Sequence, residues 1–205
     1  QQLVTSNWLE RVGADYRLSL GIFEIGSLVA HRNRILAAAR PFMQELSRPQ
    51  WVVHLAILDD TDVVYLDKVG GAFAGRLPSR VGGRLPAHAT GVGKVMLAHA
   101  GAAAVDAVVA NGLQRRTTST ISEPNGFRRD LDRVRALGIA LDAGEAVPGV
   151  ECAAAPLLDG GAVIAAISIC APAGRVDPGT TRNQLLTAAT SISRRLGDGL
   201  GRRIA

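Results

Sequence analysis

Apolar positions fall into short blocks in the middle and at the end of the chain, and recur three to four apart elsewhere. Residues 51–58 (WVVHLAIL) and 63–69 (VVYLDKV) are rich in Val, Ile and aromatics and flank Asp59-Asp60-Thr61-Asp62, which predicts a β-hairpin. A smaller hairpin is predicted for 8–11 and 16–18 around Gly13-Ala14-Asp15. Between them, 20–47 reads as one or two helices with Phe23, Leu28, Ile35, Leu36 and Met43 apolar and a break or kink expected at Pro41. Glycines and prolines mark 70–86 as a long surface loop. Helices are expected at 91–99, 102–111 and 123–137, the last with Phe127, Leu131, Val134 and Leu137 at helical spacing and Gly138 as its stop. Strands follow at 139–142, 150–157 and 163–170, the last two joined by Asp159-Gly160-Gly161, and a helix over 180–196 closes the chain. This order predicts an α/β (α+β) sandwich, an antiparallel sheet carrying helices.

Composition narrows the class. With 205 residues, 47% hydrophobic and 20% charged, the chain is long enough for one main domain with a core, plus a short appendage. The longest apolar runs, such as AVIAAISIC, are far shorter than the roughly 20 residues a membrane-crossing helix needs. Residues 1–13 carry no signal-peptide pattern, so a cytoplasmic location without membrane attachment is expected. The net charge of +5 rests almost entirely on arginines, and no basic run interleaved with aromatics forms a nucleic-acid surface. Cys152 and Cys170 lie in apolar strand-like runs, where cysteine packs as a small hydrophobe, so both thiols are expected to be reduced.

The stretch RLPAHATGVGKVMLAHA (84–100) carries the first candidate chemistry. It is not a P-loop: His88 stands where the first glycine belongs, and Val95, not a hydroxyl residue, follows Lys94. The dinucleotide fingerprint fails too, for want of the third glycine and a surrounding βαβ unit. What remains is a helix start with Thr90 as N-cap and amides at Gly91, Val92 and Gly93 with little to block them. Such an end takes a carboxylate or small carbonyl compound without a basic side chain. The alternative is that the glycines serve only close packing of helix on sheet.

A second group comes from residues 141–172, LDAGEAVPGVECAAAPLLDGGAVIAAISICAP. Alternation puts Val150 with Cys152 on one face and Ser168 with Cys170 on one face. If that face meets the Gly91 helix start, an apolar pocket results with Asp142 as acceptor, Ser168 as hydroxyl and two thiols. Plain core packing is the competing reading for the cysteines. A Ser168–His88–Asp142 triad can be drawn, but no Gly-x-Ser-x-Gly elbow frames the serine. A zinc site of His88, Asp142 and Cys152 has suitable ligands without short spacing.

Taken together, LPAHATGVGKVMLA, the spacing to LGIALDAGE, and PGVECAAAPLLDGGAVIAAISICAP resemble the IclR (isocitrate lyase regulator) family of bacterial transcription regulators. The likeness extends over essentially the whole chain. It implies a GAF-like (profilin-like) effector domain over 32–205, a linker helix at 19–31, and at 1–18 the wing remnant of an N-terminal winged helix-turn-helix whose DNA-reading helices lie outside the chain. It further implies a homodimer or tetramer, no cofactor, no resident metal and no enzymatic activity. The effector, a small organic or aromatic acid that changes operator affinity, would meet Leu77, Gly91, Val92, Asp142, Val150, Cys152, Ser168 and Cys170. Members that take very small oxo-acids often carry a hydroxyl where Cys170 stands, so this chain has one donor fewer. The enzyme alternative is a GAF-like reductase using the two cysteines.

Overall fold

The computed structural model describes residues 2–175 and 178–201. Two compact units divide the chain, Gln1–Ala37 and Ala38–Ala205. The first holds a short helix α1 (Gln2–Thr5), the hairpin β1 (Leu9–Val12) and β2 (Asp15–Leu18), and helix α2 (Leu20–Arg32). Ser19 starts α2 by accepting the Gly21 N–H at 3.2 Å. No residue of α2 is buried, and Leu20, Phe23, Ile25, Leu28 and Val29 are exposed.

The break after α2 falls at Asn33, not at Pro41 as expected. The Asn33 carboxamide oxygen accepts the N–H groups of Ile35 (3.0 Å) and Leu36 (3.2 Å) and so begins α3 (Arg34–Leu46). Pro41 lies inside α3 on its exposed side. The carbonyl that loses its donor there belongs to Ala37, also exposed and open to water, so the helix passes through the proline.

The second unit is built on a six-stranded antiparallel sheet in the order β5-β4-β3-β8-β7-β6. Its strands are β3 (Val52–Asp59), β4 (Asp62–Gly70), β5 (Arg84–Pro86), β6 (Ala140–Ala143), β7 (Val150–Asp159) and β8 (Ala162–Pro172). The expected loop over 70–86 is thus ordered in part: it contains a 3-10 turn (Ala72–Arg76) and ends in β5, which pairs with β4. The central strands β3 and β8 are buried on both faces, which explains their nearly unbroken apolar runs.

Four helices complete the unit beyond α3: α4 (Gly91–His99), α5 (Ala102–Ala110), α6 (Pro124–Leu137) and α7 (Pro178–Gly201). Glu123 caps α6 by accepting the Asn125 N–H at 2.9 Å, and Gly138 ends it at φ 72°. Helix α4 packs against β3, β4, β6, β7 and β8 and against α6, while α7 lies on β7 and β8. The core beneath α4 joins Val95, Leu97, Phe127, Leu131 and Val134 to the small sheet residues Ala56, Ala140, Ala154 and Ala166. These alanines let the helix approach closely.

Two β-bulges set the register. In the β3–β4 hairpin Ala56 pairs with Tyr65 but Leu55 with Asp67, so Leu66 is supernumerary. In β7–β8, Leu158 pairs with Val163 but Leu157 with Ala165, so Ile164 is supernumerary. Each extra residue changes which side chains share a face. As a result two rows cross the sheet beneath α4: Asp142, Cys152, Cys170 and Val52 in one, Ala140, Ala154, Ser168, His54 and Lys68 in the next.

Candidate functional site

The start of α4 stands over those rows. Thr90 is its N-cap, its hydroxyl accepting the Gly93 N–H at 3.1 Å. Lys94 N–H bonds to the Thr90 carbonyl, so among the described residues the amides of Gly91 and Val92 are the ones at this helix start left without a partner. The two glycines differ in purpose. A Cβ on Gly93 would run into the backbone of Ala87, so packing demands that glycine. A Cβ on Gly91 would meet Ala154 Cβ at 3.3 Å and the Cβ atoms of Asp142 and Cys152 at 3.8 Å, so it would point onto the floor of a cleft. Close packing and an open amide are therefore both present, at different residues.

The cleft has about 430 Å³ of empty space, part of it open to solvent. All eight residues singled out in the sequence line it: Leu77, Gly91, Val92, Asp142, Val150, Cys152, Ser168 and Cys170. Sequence reasoning missed His54, Tyr65, Ser79 and Leu85, which line it too. The alternation Val52, His54, Ala56 was the available signal for His54, but only the strand order places it beside Ser168.

Asp142 is buried, and its carboxylate accepts the Glu145 N–H at 2.7 Å. Burial, outweighing that hydrogen bond, pushes its carboxyl up to about 7, with the nearby Glu145 charge adding to the rise and Lys94 opposing it. His54 is pushed down to about 3 by burial and by the Lys68 charge, so its ring is neutral. Its Nε2 lies 2.8 Å from Ser79 Oγ and its Nδ1 3.6 Å from Cys170 Sγ. Burial likewise raises the Tyr65 hydroxyl well above its usual range, keeping it protonated and able to donate. The Lys68 ammonium holds the wall of the cleft by donating to the Leu77 carbonyl (3.4 Å) and to that of Ser79.

One expectation needs correction. Cys152 and Cys170 are not two separate reduced thiols: they are direct partners across β7 and β8, with Cα atoms 4.1 Å apart and their sulfurs joined in a disulfide. Direct antiparallel partners at a narrow site bring their Cβ atoms into bonding range, which the single-strand patterns do not reveal. His88 is not part of this site. Its Nε2 faces the Gln114 carbonyl at 3.0 Å and its ring meets Phe127 edge-on, beside a different surface cleft. The triad and the zinc site drawn through His88 therefore do not assemble, and among the described residues no group of three or more His, Cys, Asp or Glu is disposed to hold a metal.

With the P-loop pattern excluded, the sequence gives Lys94 no role. It is fully buried one turn into α4 and points away from the cleft. Its ammonium contacts Asp130 at 3.0 Å, the Leu141 carbonyl at 2.8 Å and the Glu145 carboxylate. It thereby ties α4 and α6 to the loop after β6, whose Ala146 and Val147 form one rim of the cleft.

Residues 27–194 match the family model described as bacterial transcriptional regulator IclR C-terminal. The chain is 36% identical over 188 residues to the HTH-type transcriptional repressor AllR of Klebsiella pneumoniae, covering 89% of this chain and 69% of that protein. It is 37% identical over 189 residues to the HTH-type transcriptional regulator XynR of Escherichia coli K12, covering 89% and 75%. Among solved structures it is similar to Thermotoga maritima IclR, with a TM-score of 0.82 and 28% identity over 96% of this chain and 82% of that one. An IclR homologue of Microbacterium hydrocarbonoxydans in complex with 4-hydroxybenzoate gives a TM-score of 0.83 and 30% identity over 95% and 82%. No described helix is long and apolar enough to cross a membrane.

Proposed function

The chain belongs to the IclR family of bacterial transcriptional regulators, not to a family of enzymes, and on that premise we propose that the cleft at the start of α4 is its effector site. The ligand is a small organic or aromatic acid. The observation that carries this reading is the pair of unpartnered amides of Gly91 and Val92 in a cleft otherwise walled by Leu77, Leu85, Val92 and Val150. A carboxylate seated there accepts both N–H groups and gains from the helix dipole. The Tyr65 and Ser168 hydroxyls supply further donors. Below about pH 7 the Asp142 carboxyl is mostly protonated, so it too donates and does not repel an anion. The Microbacterium homologue holds 4-hydroxybenzoate, which makes that acid the first probe.

In the same reading, residues 1–18 form the wing remnant of a winged helix-turn-helix through which DNA is met, 19–31 a linker helix, and 32–205 the effector domain of a homodimer or tetramer. Operator affinity then changes only to the extent that the acid binds the DNA-competent and DNA-incompetent states unequally.

Calorimetry and thermal shift with 4-hydroxybenzoate, benzoate and pyruvate test the site. An acid that stabilises the parent is expected to lose its effect in Gly91→Leu, whose side chain fills the floor, and to bind several-fold more weakly to Ser168→Ala, which leaves the backbone untouched. Equal binding to parent and both variants would place the ligand elsewhere and end this reading.

A further inference from the structure

The floor of the cleft holds two sulfurs to which the effector reading gives contact with the ligand but no chemistry of their own. Cys152 and Cys170 are direct partners, both line the cleft, and Cys152 is the less buried of the two. Cys170 Sγ has two polar neighbours, Ser168 Oγ at 3.9 Å and His54 Nδ1 at 3.6 Å. We propose that Cys152 and Cys170 are a reversible thiol–disulfide pair, oxidised and reduced through the mouth of the cleft, so that the site reads redox state as well as a ligand. The pair is a modification site in its own right. Its consequence for ligand binding deepens the effector-site reading and rests on it.

The chemistry closes with a peroxide as oxidant. The Cys152 thiolate attacks one peroxide oxygen and the O–O bond breaks, giving a sulfenic acid and hydroxide. Cys170 then attacks the Cys152 sulfur. Its proton passes to the departing hydroxyl, which leaves as water. Two thiols and one hydrogen peroxide give one disulfide and two waters, a two-electron oxidation of the sulfurs. A dithiol reverses it by exchange through a mixed disulfide.

Oxidation alters the site in two ways. It removes both S–H donors from the floor. It also fixes the His54 proton: a disulfide sulfur only accepts, so Nδ1 must carry the hydrogen and Nε2 must accept from the Ser79 hydroxyl. In the dithiol form the Cys170 S–H can donate to Nδ1, and Nε2–H then donates to Ser79. Because the Ser79 carbonyl is held by Lys68, the relay runs from the sulfurs to the wall that carries Leu77.

The test uses the 205-residue protein. It is equilibrated across a series of oxidised-to-reduced dithiothreitol ratios, free thiols are capped with iodoacetamide, and digests are read by mass. A linked Cys152–Cys170 peptide is expected to appear and vanish reversibly without denaturant, with unchanged far-UV circular dichroism, and to be absent in Cys170→Ser. No linked peptide at any ratio, or one reducible only in denaturant, overturns the proposal. Hydrogen peroxide followed by dithiothreitol must cycle the same peptide; adducts on the two cysteines separately also overturn it. Binding of 4-hydroxybenzoate is then measured in both forms. Losing a hydrogen-bond donor corresponds to roughly a fivefold change in affinity, expected in the parent and missing in Cys170→Ser. Equal affinity in the two forms overturns the coupling to the ligand. If 4-hydroxybenzoate binds neither form, the effector reading has failed for that acid, and the redox pair is decided by the mass measurement alone.

Discussion

Two buried polar clusters lie one turn apart on α4 and differ in what they leave unpaired. Around Lys94, an ammonium with no exposed surface is paired with the Asp130 and Glu145 carboxylates and the Leu141 carbonyl, although one oxygen of each carboxylate is left without a hydrogen bond. Around Gly91, two amides have no partner and the nearby carboxyl, hydroxyls and neutral imidazole face empty space. A cluster whose charges are paired with one another fixes the positions of chain segments, whereas one whose donors open onto a cleft is a place for something that comes and goes. Lys94 holds the rim that the cleft then uses.

Substitutions can separate these two roles. Lys94→Met keeps the bulk but leaves Glu145 buried without its cation and Asp130 with Arg133 alone, and chemical denaturation is expected to show a loss of about 3–5 kcal/mol. A loss below 1 kcal/mol would erase the distinction between the clusters. Asp142 gives the next largest effect and a pH signature. Folding raises its pKa from an unfolded value of about 3.9 to about 7. Its contribution to stability is therefore full below about pH 4 and is lost as pH rises through 7. Stability measured from pH 4 to 8 should fall in the parent more steeply than in Asp142→Asn, and acid binding should weaken over the upper half of that range in the parent alone. Thr90→Ala removes the α4 cap and should cost about 1 kcal/mol. Ser168→Ala sharpens the contrast most finely. The hydroxyl has only a weak sulfur contact at 3.9 Å, so stability should stay within about 0.5 kcal/mol while acid binding suffers.

Much of this was legible locally. Thr90 before Gly91-Val92-Gly93 announces a capped helix start, and alternation correctly puts Ser168 with Cys170. The helix bounds at Gly138 and around 91–99 also follow from short-range chemistry. What escaped depends on partners far along the chain. His54 matters because β3 pairs with β8, and Tyr65 and Lys68 share a face only because Leu66 is supernumerary, which no period of two foretells. The role of Lys94 needed Asp130 and Glu145, brought in by α6 and the loop after β6. The helix break at Asn33 shows the opposite error: a strong local signal, Pro41, gave way because its orphaned carbonyl faces water.

Counting back from the β7–β8 turn pairs Asp159 with Ala162 and, without interruption, would set Cys152 against Ile169 and send the two sulfurs to opposite sides of the sheet. Ile164, remote from the cleft along β8, is the single residue that prevents this. Taking Ile164 into the ladder opposite Leu157, with no bulge, would turn the far half of the strand over, carrying Ser168 and Cys170 to the opposite face and two isoleucines into the cavity. The content of the cavity is thus governed from a point that no ligand touches, by which backbone groups pair instead of by side-chain chemistry.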